Sequence, residues 1–212
     1  MLSLASSNTV TLSSNSLTTI STQPANATTC AGTSASFTVA ATGTGTLVYQ
    51  WKKNGTNISG ATASTYTISS PAVSDTGSFS VIVSGTSCPV TSNNATLTVN
   101  AVTTITTQPL GVSRCLGVSA TFTVAGLGTG TLTYQWRKAG TSISGATSSS
   151  YTISSPAISD TGAYSVVVTG TCGSVTSNNA NLNLNTPTSI STQPTSATIC
   201  AGTSTSFLYE CH

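Results

Sequence analysis

The feature that most constrains this 212-residue chain is an internal repeat with a constant step of 85 residues. It is visible in the tripeptides Thr22-Gln23-Pro24, Thr107-Gln108-Pro109 and Thr192-Gln193-Pro194. The same step relates Trp51 to Trp136 without any insertion. Self-similarity at a fixed period indicates a tandem array of one structural unit.

The repeat divides the chain into four segments. We predict the last strand of a preceding repeat at 1–17, complete repeats at 18–101 and 102–186, and the start of a truncated third repeat at 187–212. The first segment is assigned because Ser7 to Leu12 resembles Ser92 to Leu97, the end of the next repeat. The last segment departs from the pattern after Phe207.

Within a repeat, apolar residues alternate with Ser, Thr, Gln or Lys, as in Leu47-Val48-Tyr49-Gln50-Trp51. A period of two predicts half-buried antiparallel strands. Turn residues separate these runs, and Asn54-Gly55 is the strongest hairpin signal among them. About seven short strands in each repeat predict an all-β fold of tandem two-sheet sandwiches.

Composition limits the partners and the compartment. Only 4% of the residues are charged and the net charge is +2, which leaves too little basic surface for nucleic-acid binding. No apolar run is long enough for a membrane span, and Met1 to Ala5 is not an export signal. Six cysteines without zinc-type spacing nevertheless favour structural disulfides. We therefore expect a fragment of an extracellular or cell-surface protein whose export signal lies outside this fragment.

Residues that could carry chemistry favour a structural interpretation. Trp51 and Trp136 could stack on sugars, but their alternating pattern predicts that they lie in the core. Asp75 and Asp160 occupy equivalent places in successive repeats, a domain length apart, so they cannot form a catalytic pair of carboxyl groups. We predict that each side chain caps a tight turn. The single histidine, His212, provides no base for a triad. We predict no enzyme activity, no cofactor and no metal site.

Basic side chains cluster just before the hairpin turn of each repeat, at Lys52-Lys53 and Arg137-Lys138. They could contact acidic polysaccharide at a spacing set by the repeat. Such charges also protect edge strands from aggregation, and this second interpretation is favoured.

Several motifs carry a family resemblance. They are Tyr49-Gln50-Trp51, Asn54-Gly55, Tyr66-Thr67-Ile68 and Asp75-Thr76-Gly77-Ser78-Phe79, with Tyr134-Gln135-Trp136 and Asp160-Thr161-Gly162-Ala163-Tyr164 in the second copy. Nearly the whole chain resembles the immunoglobulin-like repeats of bacterial, Bacteroidetes-type, secreted and cell-surface proteins. The resemblance implies tandem immunoglobulin-like sandwiches. It also implies a tyrosine corner at Tyr164, where the first repeat has Phe79.

The chain departs from antibody domains at the bridge between the sheets. Val39 and Val81 in the first repeat, and Val124 and Val166 in the second, stand where the two cysteines would be. We therefore predict that valine packing replaces that disulfide.

The cysteines lie elsewhere, and one pair recurs in each complete repeat. We predict disulfides between Cys30 and Cys88 and between Cys115 and Cys172. Cys200 and Cys211 have no repeat-derived partner, so we expect them to be free, paired with each other or engaged between chains.

The favoured function is a non-catalytic structural or adhesive segment that acts as a stalk or spacer. The alternative is a glycan-binding accessory module of an exported polysaccharide-degrading enzyme. Partners would be other protein chains or surface polysaccharide. The two incomplete ends, Ser7 to Leu12 and Ser189 to Phe207, also predict head-to-tail self-association of the fragment through exposed strand edges.

Overall fold

A computed structural model describes residues 15–186 and 196–206. The chain divides between Val102 and Thr103 into two compact units, called unit 1 and unit 2 below. Within the described residues, regular structure is almost entirely β-strand, with single 3-10 turns at Val73–Asp75 and Ile158–Asp160. The predicted all-β fold is confirmed.

Unit 1 contains ten strand segments among its described residues. They are β1 (Thr19–Thr22), β2 (Ala27–Cys30), β3 (Ala35–Thr38), β4 (Ala40–Thr42), β5 (Val48–Lys53), β6 (Thr56–Asn57), β7 (Thr65–Ile68), β8 (Gly77–Ser84), β9 (Val90–Thr91) and β10 (Ala95–Asn100). One sheet has the order β2-β10-β8-β5-β6, and β9 also pairs with β8. The pairs β1–β4 and β3–β7 form the other layer of a two-sheet sandwich.

Unit 2 repeats this organisation. Its segments are β11 (Thr104–Thr107), β12 (Val112–Cys115), β13 (Ala120–Thr123), β14 (Ala125–Leu127), β15 (Thr133–Lys138), β16 (Thr141–Ser142), β17 (Ser150–Ile153), β18 (Gly162–Gly170), β19 (Gly173–Thr176) and β20 (Ala180–Asn185). The larger sheet has the order β12-β20-β18-β15-β16, with β19 paired to β18. The pairs β11–β14 and β13–β17 form the second layer.

The strand segments outnumber the seven predicted strands because three strands in each unit are interrupted. Buried Pro24 separates β1, which pairs with β4, from β2, which pairs in parallel with β10. Proline lacks a backbone donor, so it marks the point where this strand changes sheets. The other breaks lie at Val39 and at Ser92.

Each core is built around one tryptophan and a stacked aromatic pair. Trp51 and Trp136 are fully buried. The rings of Phe37 and Phe79 stack at 4.8 Å between the two layers of unit 1, and those of Phe122 and Tyr164 stack at 4.9 Å in unit 2. The predicted core position of both tryptophans is confirmed.

Valines fill the positions of the bridge between the sheets that antibody domains use. Val39 and Val81 are buried in the core of unit 1, and Val124 and Val166 are buried in that of unit 2. This confirms the prediction that valine packing replaces the disulfide there.

The predicted hairpin at Asn54-Gly55 is also confirmed. Lys53 pairs with Thr56 across the two turn residues, and both turn residues have positive φ, 50° and 83°. Two-residue hairpin turns of this type require positive φ at both central positions. Unit 2 makes the same turn with Ala139 and Gly140.

The flanking partial repeats remain predictions. Segment 1–14, which contains the proposed orphan strand, lies outside the described residues, as do 187–195 and 207–212. In 196–206 the backbone turns at Cys200, whose carbonyl accepts from the Thr203 amide at 3.2 Å. The carbonyl of Cys30 accepts from the Thr33 amide in the same way. The predicted head-to-tail association is not tested by these residues.

Candidate functional site

The basic residues predicted as ligand contacts lie on β5 and β15, whose outer sides pair with the two-residue strands β6 and β16. In unit 1, Lys53 Nζ lies 2.9 Å from Asp75 Oδ1 and 3.2 Å from the Ser74 carbonyl. The Lys53 hydrogen bond and the Ala72 amide lower the pKa of the Asp75 carboxyl. The charge of Lys53 is therefore balanced inside its own unit.

Lys138 has the same role in unit 2, with looser ion-pair geometry. Its Nζ lies 3.8 Å from Asp160 Oδ1 and donates a hydrogen bond to the Ser159 carbonyl. The ammonium also lies 5.8 Å from the ring centroid of Tyr164, within range of a cation–π interaction. Lys138 thus fixes the turn that precedes β18.

The two aspartates cap these turns from within. The Ala72 amide donates to Asp75 Oδ2 at 2.9 Å, and the Ala157 amide donates to Asp160 Oδ2 at 2.9 Å. The predicted capping role is confirmed. Each carboxylate is held by a backbone amide and a lysine of its own unit.

Lys52 and Arg137 are the two remaining basic candidates. Both are half-buried, and no salt bridge is found for either among residues 15–186 and 196–206. The Arg137 Nε is buried without a hydrogen-bond partner in that part of the chain. Ligand contact stays a prediction for all four basic residues, of which Lys52 and Arg137 have no salt bridge among the described residues.

The tryptophans are unavailable as sugar platforms because their indole groups are enclosed and hydrogen-bonded. Trp51 Nε1 donates to the Ala63 carbonyl at 2.9 Å, and Trp136 Nε1 donates to the Ser148 carbonyl at 2.9 Å. Each indole ties the core to the loop that precedes β7 or β17.

The tyrosine corner is present in unit 2. The Tyr164 hydroxyl donates to the Asp160 carbonyl, four residues upstream, at 2.8 Å. Burial, helped by the nearby Asp160 and Tyr151, raises the pKa of Tyr164 to about 12. The hydroxyl therefore stays protonated and bonded well into the alkaline range.

The predicted disulfides Cys30–Cys88 and Cys115–Cys172 are not formed in this structure. Cys88 and Cys115 are exposed free thiols, while Cys30 and Cys172 are both disulfide-bonded. Cys200 is an exposed free thiol, one of the states expected for it, and Cys211 lies outside the described residues.

The register of the larger sheet explains this correction. Cys30 pairs with Asn100, three residues beyond the Leu97–Gly77 pair that begins β8, whereas Cys88 follows the far end of β8. At ~3.3 Å per residue the two cysteines are about 30 Å apart. A disulfide needs Cα atoms within about 7 Å.

The second predicted pair fails for the same reason. Cys115 pairs with Asn185, three residues beyond the Leu182–Gly162 pair, while Cys172 follows the last residue of β18. Each unit thus has one cysteine at each end of its larger sheet. Equal spacing in the sequence showed that the cysteines recur, but not at which ends they lie.

Polar side chains that the sequence reasoning missed hold the interrupted strands together. Buried Ser92 accepts a hydrogen bond from the Val81 amide at 3.0 Å, and Ser177 repeats this contact with the Val166 amide at 2.9 Å. Gln23 accepts from the Asn93 amide at 2.8 Å. The signal that could have found them is their identity at the 85-residue step, which extends beyond apolar residues.

The contacts found around these side chains hold turns and strands together. Among the described residues, no cluster of three His, Cys, Asp or Glu side chains could hold a metal ion. No helix in that part of the chain is long and apolar enough to cross a membrane.

Comparison with known proteins identifies the fold but not a family. No protein-family model matches the sequence, and no curated protein is similar to it. Solved structures of tandem immunoglobulin domains do match. An I-band fragment of titin aligns with a TM-score of 0.66 and 17% identity, over 86% of this chain and 70% of that chain.

Two further structures give the same result. Immunoglobulin domains 1–4 of Sidekick-1 align with a TM-score of 0.62 and 18% identity, over 83% of this chain and 51% of that chain. The insect immune protein hemolin aligns with a TM-score of 0.60 and 16% identity, over 80% and 47%. Both units are therefore immunoglobulin-like sandwiches, as the sequence predicts.

Proposed function

We propose that the chain is a non-catalytic segment of a secreted or cell-surface protein, in which successive immunoglobulin-like repeats act as a stalk or spacer. The repeats are those at 18–101 and 102–186. The observation that carries the proposal is that Asp75, Asp160, Lys53 and Lys138 are all used to fix turns inside their own units. Side chains that are held in such contacts support a structural role and not a catalytic one.

The structural neighbours support the same role. They are tandem immunoglobulin-domain proteins, and hemolin is described in connection with homophilic adhesion. At identities below 20% they share only the fold with this chain, so an adhesive partner is part of the proposal. The sequence motifs resemble those of bacterial surface proteins, and a bacterial origin is likewise part of the proposal.

Strand pairing suits a segment that carries tension. In unit 1 the entering strand β2 and the leaving strand β10 are parallel neighbours, paired from Ala27–Leu97 to Cys30–Asn100. A pull on the two chain ends would slide these strands past each other and load their hydrogen bonds together. Strands β12 and β20 give unit 2 the same geometry.

The disulfide-bonded state of two cysteines supports a location outside the cytosol. Cys30 and Cys172 are disulfide-bonded, and such bonds persist mainly in oxidising compartments. The low charge is consistent with a repeat that makes few electrostatic contacts.

A glycan-binding module is the competing function, and Lys52 and Arg137 favour it because they repeat without a salt-bridge partner in the described residues. Affinity electrophoresis of the full chain on acidic and neutral polysaccharides separates the two. A spacer should migrate unretarded in every gel. Retardation by an acidic polysaccharide that disappears in Lys52→Ala/Arg137→Ala, but persists in the matched control Arg114→Ala, would replace the spacer with the binding module.

A further inference from the structure

The hairpin between β5 and β6 carries the one Asn-Gly pair of the sequence, Asn54-Gly55. Both residues are exposed. Asparagine is among the thermolabile residues, and a following glycine has no Cβ to shield its backbone nitrogen from the side-chain amide. We propose that Asn54 is a site of spontaneous covalent modification, at which the side-chain amide is converted to a carboxylate by way of a cyclic imide with Gly55.

The reaction uses this chain and water alone. The Gly55 backbone nitrogen attacks Asn54 Cγ, the new N–Cγ bond closes a succinimide ring, and the side-chain nitrogen leaves as ammonia with the proton of the Gly55 amide. Water then opens the ring. Attack of water on Cγ gives aspartate, whereas attack on the Asn54 backbone carbonyl gives isoaspartate, whose main chain continues through Cβ and Cγ. No electrons are gained or lost, so no oxidant or reductant takes part.

Hydrogen bonds to β8 control access to this reaction. The Asn54 amide donates to the Ser78 carbonyl at 2.7 Å, and the Ser78 amide donates to Asn54 Oδ1 at 2.9 Å. The same side chain covers Gly77, where a Cβ would lie 2.9 Å from Asn54 Oδ1. Asn54 therefore points its side-chain amide across the sheet toward β8, and the Ser78 bond must break before Cγ can turn to the Gly55 nitrogen.

The hairpin restricts the backbone as well. Lys53 pairs with Thr56, and the two turn residues between them have φ of 50° and 83°. The turn also holds the torsion about the Asn54 Cα–C bond, and the imide ring needs a different torsion there, so the hairpin must open locally before the ring can close. The modification is therefore slow in the folded unit and fast in a chain whose hairpin is open.

The two products affect unit 1 differently. Aspartate at position 54 keeps an oxygen that accepts from the Ser78 amide, and aspartate tolerates positive φ, so the hairpin remains. Isoaspartate adds one atom to the main chain between Lys53 and Thr56. Because a two-residue turn fixes the register of its hairpin, this extra atom disrupts the pairing of β6 with β5 and exposes an edge of the larger sheet.

Unit 2 supplies an internal comparison. The same hairpin there contains Ala139-Gly140, again with positive φ at both residues. The Ala139 amide donates to the Ala163 carbonyl at 2.9 Å, the counterpart of the main-chain bond from Asn54 to Ser78. Ala139 has no side-chain amide, so the hairpin of unit 2 cannot form the imide. The inference concerns a covalent change in one hairpin and does not depend on a spacer role.

Incubation of the full chain in warm, mildly alkaline buffer tests the proposal, with peptide mapping and enzymatic methylation of isoaspartate as readouts. We expect loss of ammonia first at Asn54, with one added negative charge in ion-exchange chromatography. The exposed Asn57 and Asn94, which precede isoleucine and alanine, should stay intact as matched controls. An Asn54 that stays intact even in the chain unfolded by guanidinium chloride, or modification of Asn57 or Asn94 at the same rate, would overturn the site.

Two variants test the control by β8. Gly77→Ala places a Cβ against Asn54 Oδ1 and displaces the side chain from the Ser78 amide. The folded variant should be modified roughly fivefold faster, the factor that corresponds to the net contribution of one hydrogen bond. Val83→Ala destabilises unit 1 from the far end of β8, where Val83 pairs with Tyr49, and should leave the rate unchanged. Equal acceleration by both variants, or none by Gly77→Ala, would overturn the control by the Ser78 bond.

Transfer of the motif between the units tests the site itself. Asn54→Ala should abolish the charge change in unit 1. Ala139→Asn creates Asn-Gly at the same turn of unit 2, and we expect a second modified site there with a rate similar to that of Asn54. A charge change that persists in Asn54→Ala, or an Ala139→Asn chain in which position 139 stays intact while Asn54 reacts, would contradict the assignment.

Discussion

Units 1 and 2 have the same strand order and register, yet the start of β8 in unit 1 and the start of β18 in unit 2 are anchored differently. In unit 1, Asn54 Oδ1 accepts from the Ser78 amide at 2.9 Å. Unit 2 has Ala139 at that turn position and uses the Tyr164 hydroxyl on the Asp160 carbonyl instead. Unit 1 has Phe79 where unit 2 has Tyr164.

The difference shows which parts of the repeat are fixed and which are exchangeable. Both units keep a tryptophan, an aromatic pair and the buried valines, so the core sets the fold. The polar anchor beside the hairpin can come from the turn in one unit and from the strand in the other. One hydrogen bond contributes about 1 kcal/mol, which is small beside the burial of a tryptophan.

The largest effect should come from the core. Trp51→Ala should destabilise unit 1 by about 4 kcal/mol, because it removes the largest buried side chain and leaves a cavity. The remaining Trp136 then reports unit 2 alone, and its urea midpoint under reducing conditions should not change. Calorimetry should show one transition lowered. A loss of both transitions together would show that the units do not unfold independently.

The next largest effect should be a loss of stability at alkaline pH that is specific to unit 2. The folded pKa of Tyr164, about 12, lies above the unfolded value near 10, so its contribution is complete below pH 10 and is lost as pH rises toward 12. Unit 2 should lose about 2 kcal/mol between pH 9 and pH 11.5, measured by urea unfolding of Trp136 in the Trp51→Ala background, where it is the single tryptophan. Tyr164→Phe is the control and should remove this part of the pH dependence. An unchanged slope in that variant would assign the loss to other groups.

Exchanging the aromatic residues tests the anchor at neutral pH. Tyr164→Phe should cost unit 2 about 1 kcal/mol, the usual net value of one hydrogen bond. Phe79→Tyr should stabilise unit 1 by less than about 1 kcal/mol, because Asp75 provides an equivalent turn carbonyl. Urea midpoints would measure both, with Trp136 monitored in the Trp51→Ala background and Trp51 monitored in a Trp136→Ala background. No effect of Tyr164→Phe would mean that the hydroxyl is equally well satisfied by solvent.

The smallest effect should come from the turn. Ala139 has φ 47°, a left-handed conformation that asparagine tolerates better than alanine. Ala139→Asn should therefore stabilise unit 2 by about 0.5 kcal/mol, and Asn54→Ala should destabilise unit 1 by somewhat more, because it also removes the acceptor for Ser78. Thermal unfolding of both variants checks the signs. Stabilisation by Asn54→Ala would refute the strain argument.

Most of the fold could be predicted because its signals are local and repeated. Alternation around Trp51 gave the buried face, and Asn54-Gly55 gave the hairpin, since both depend on neighbouring residues. The turn-capping aspartates were predictable for the same reason. The strand breaks were not expected, because the change of sheet at Pro24 depends on which distant strands compete for pairing.

The cysteine pairing could not be predicted because it depends on register. Sequence spacing says nothing about which end of a sheet a loop occupies, and Cys30 reaches the far end only through parallel pairing with β10. The ion pairs of Lys53 and Lys138 were missed because their aspartate partners lie more than 20 residues away. An internal repeat shows the same local patterns several times, but it does not show which residues distant in the sequence are in contact.

Stretching the reduced full chain tests most directly whether two sandwiches in series form a spacer that resists tension. Each unit should unfold in one sharp force event as its parallel terminal strands separate. Each event should release about 290 Å, from 85 residues at ~3.4 Å per residue. Two events of equal length are the expected result. Gradual extension without resolved events, or a single event for the whole chain, would contradict a spacer of two independent repeats.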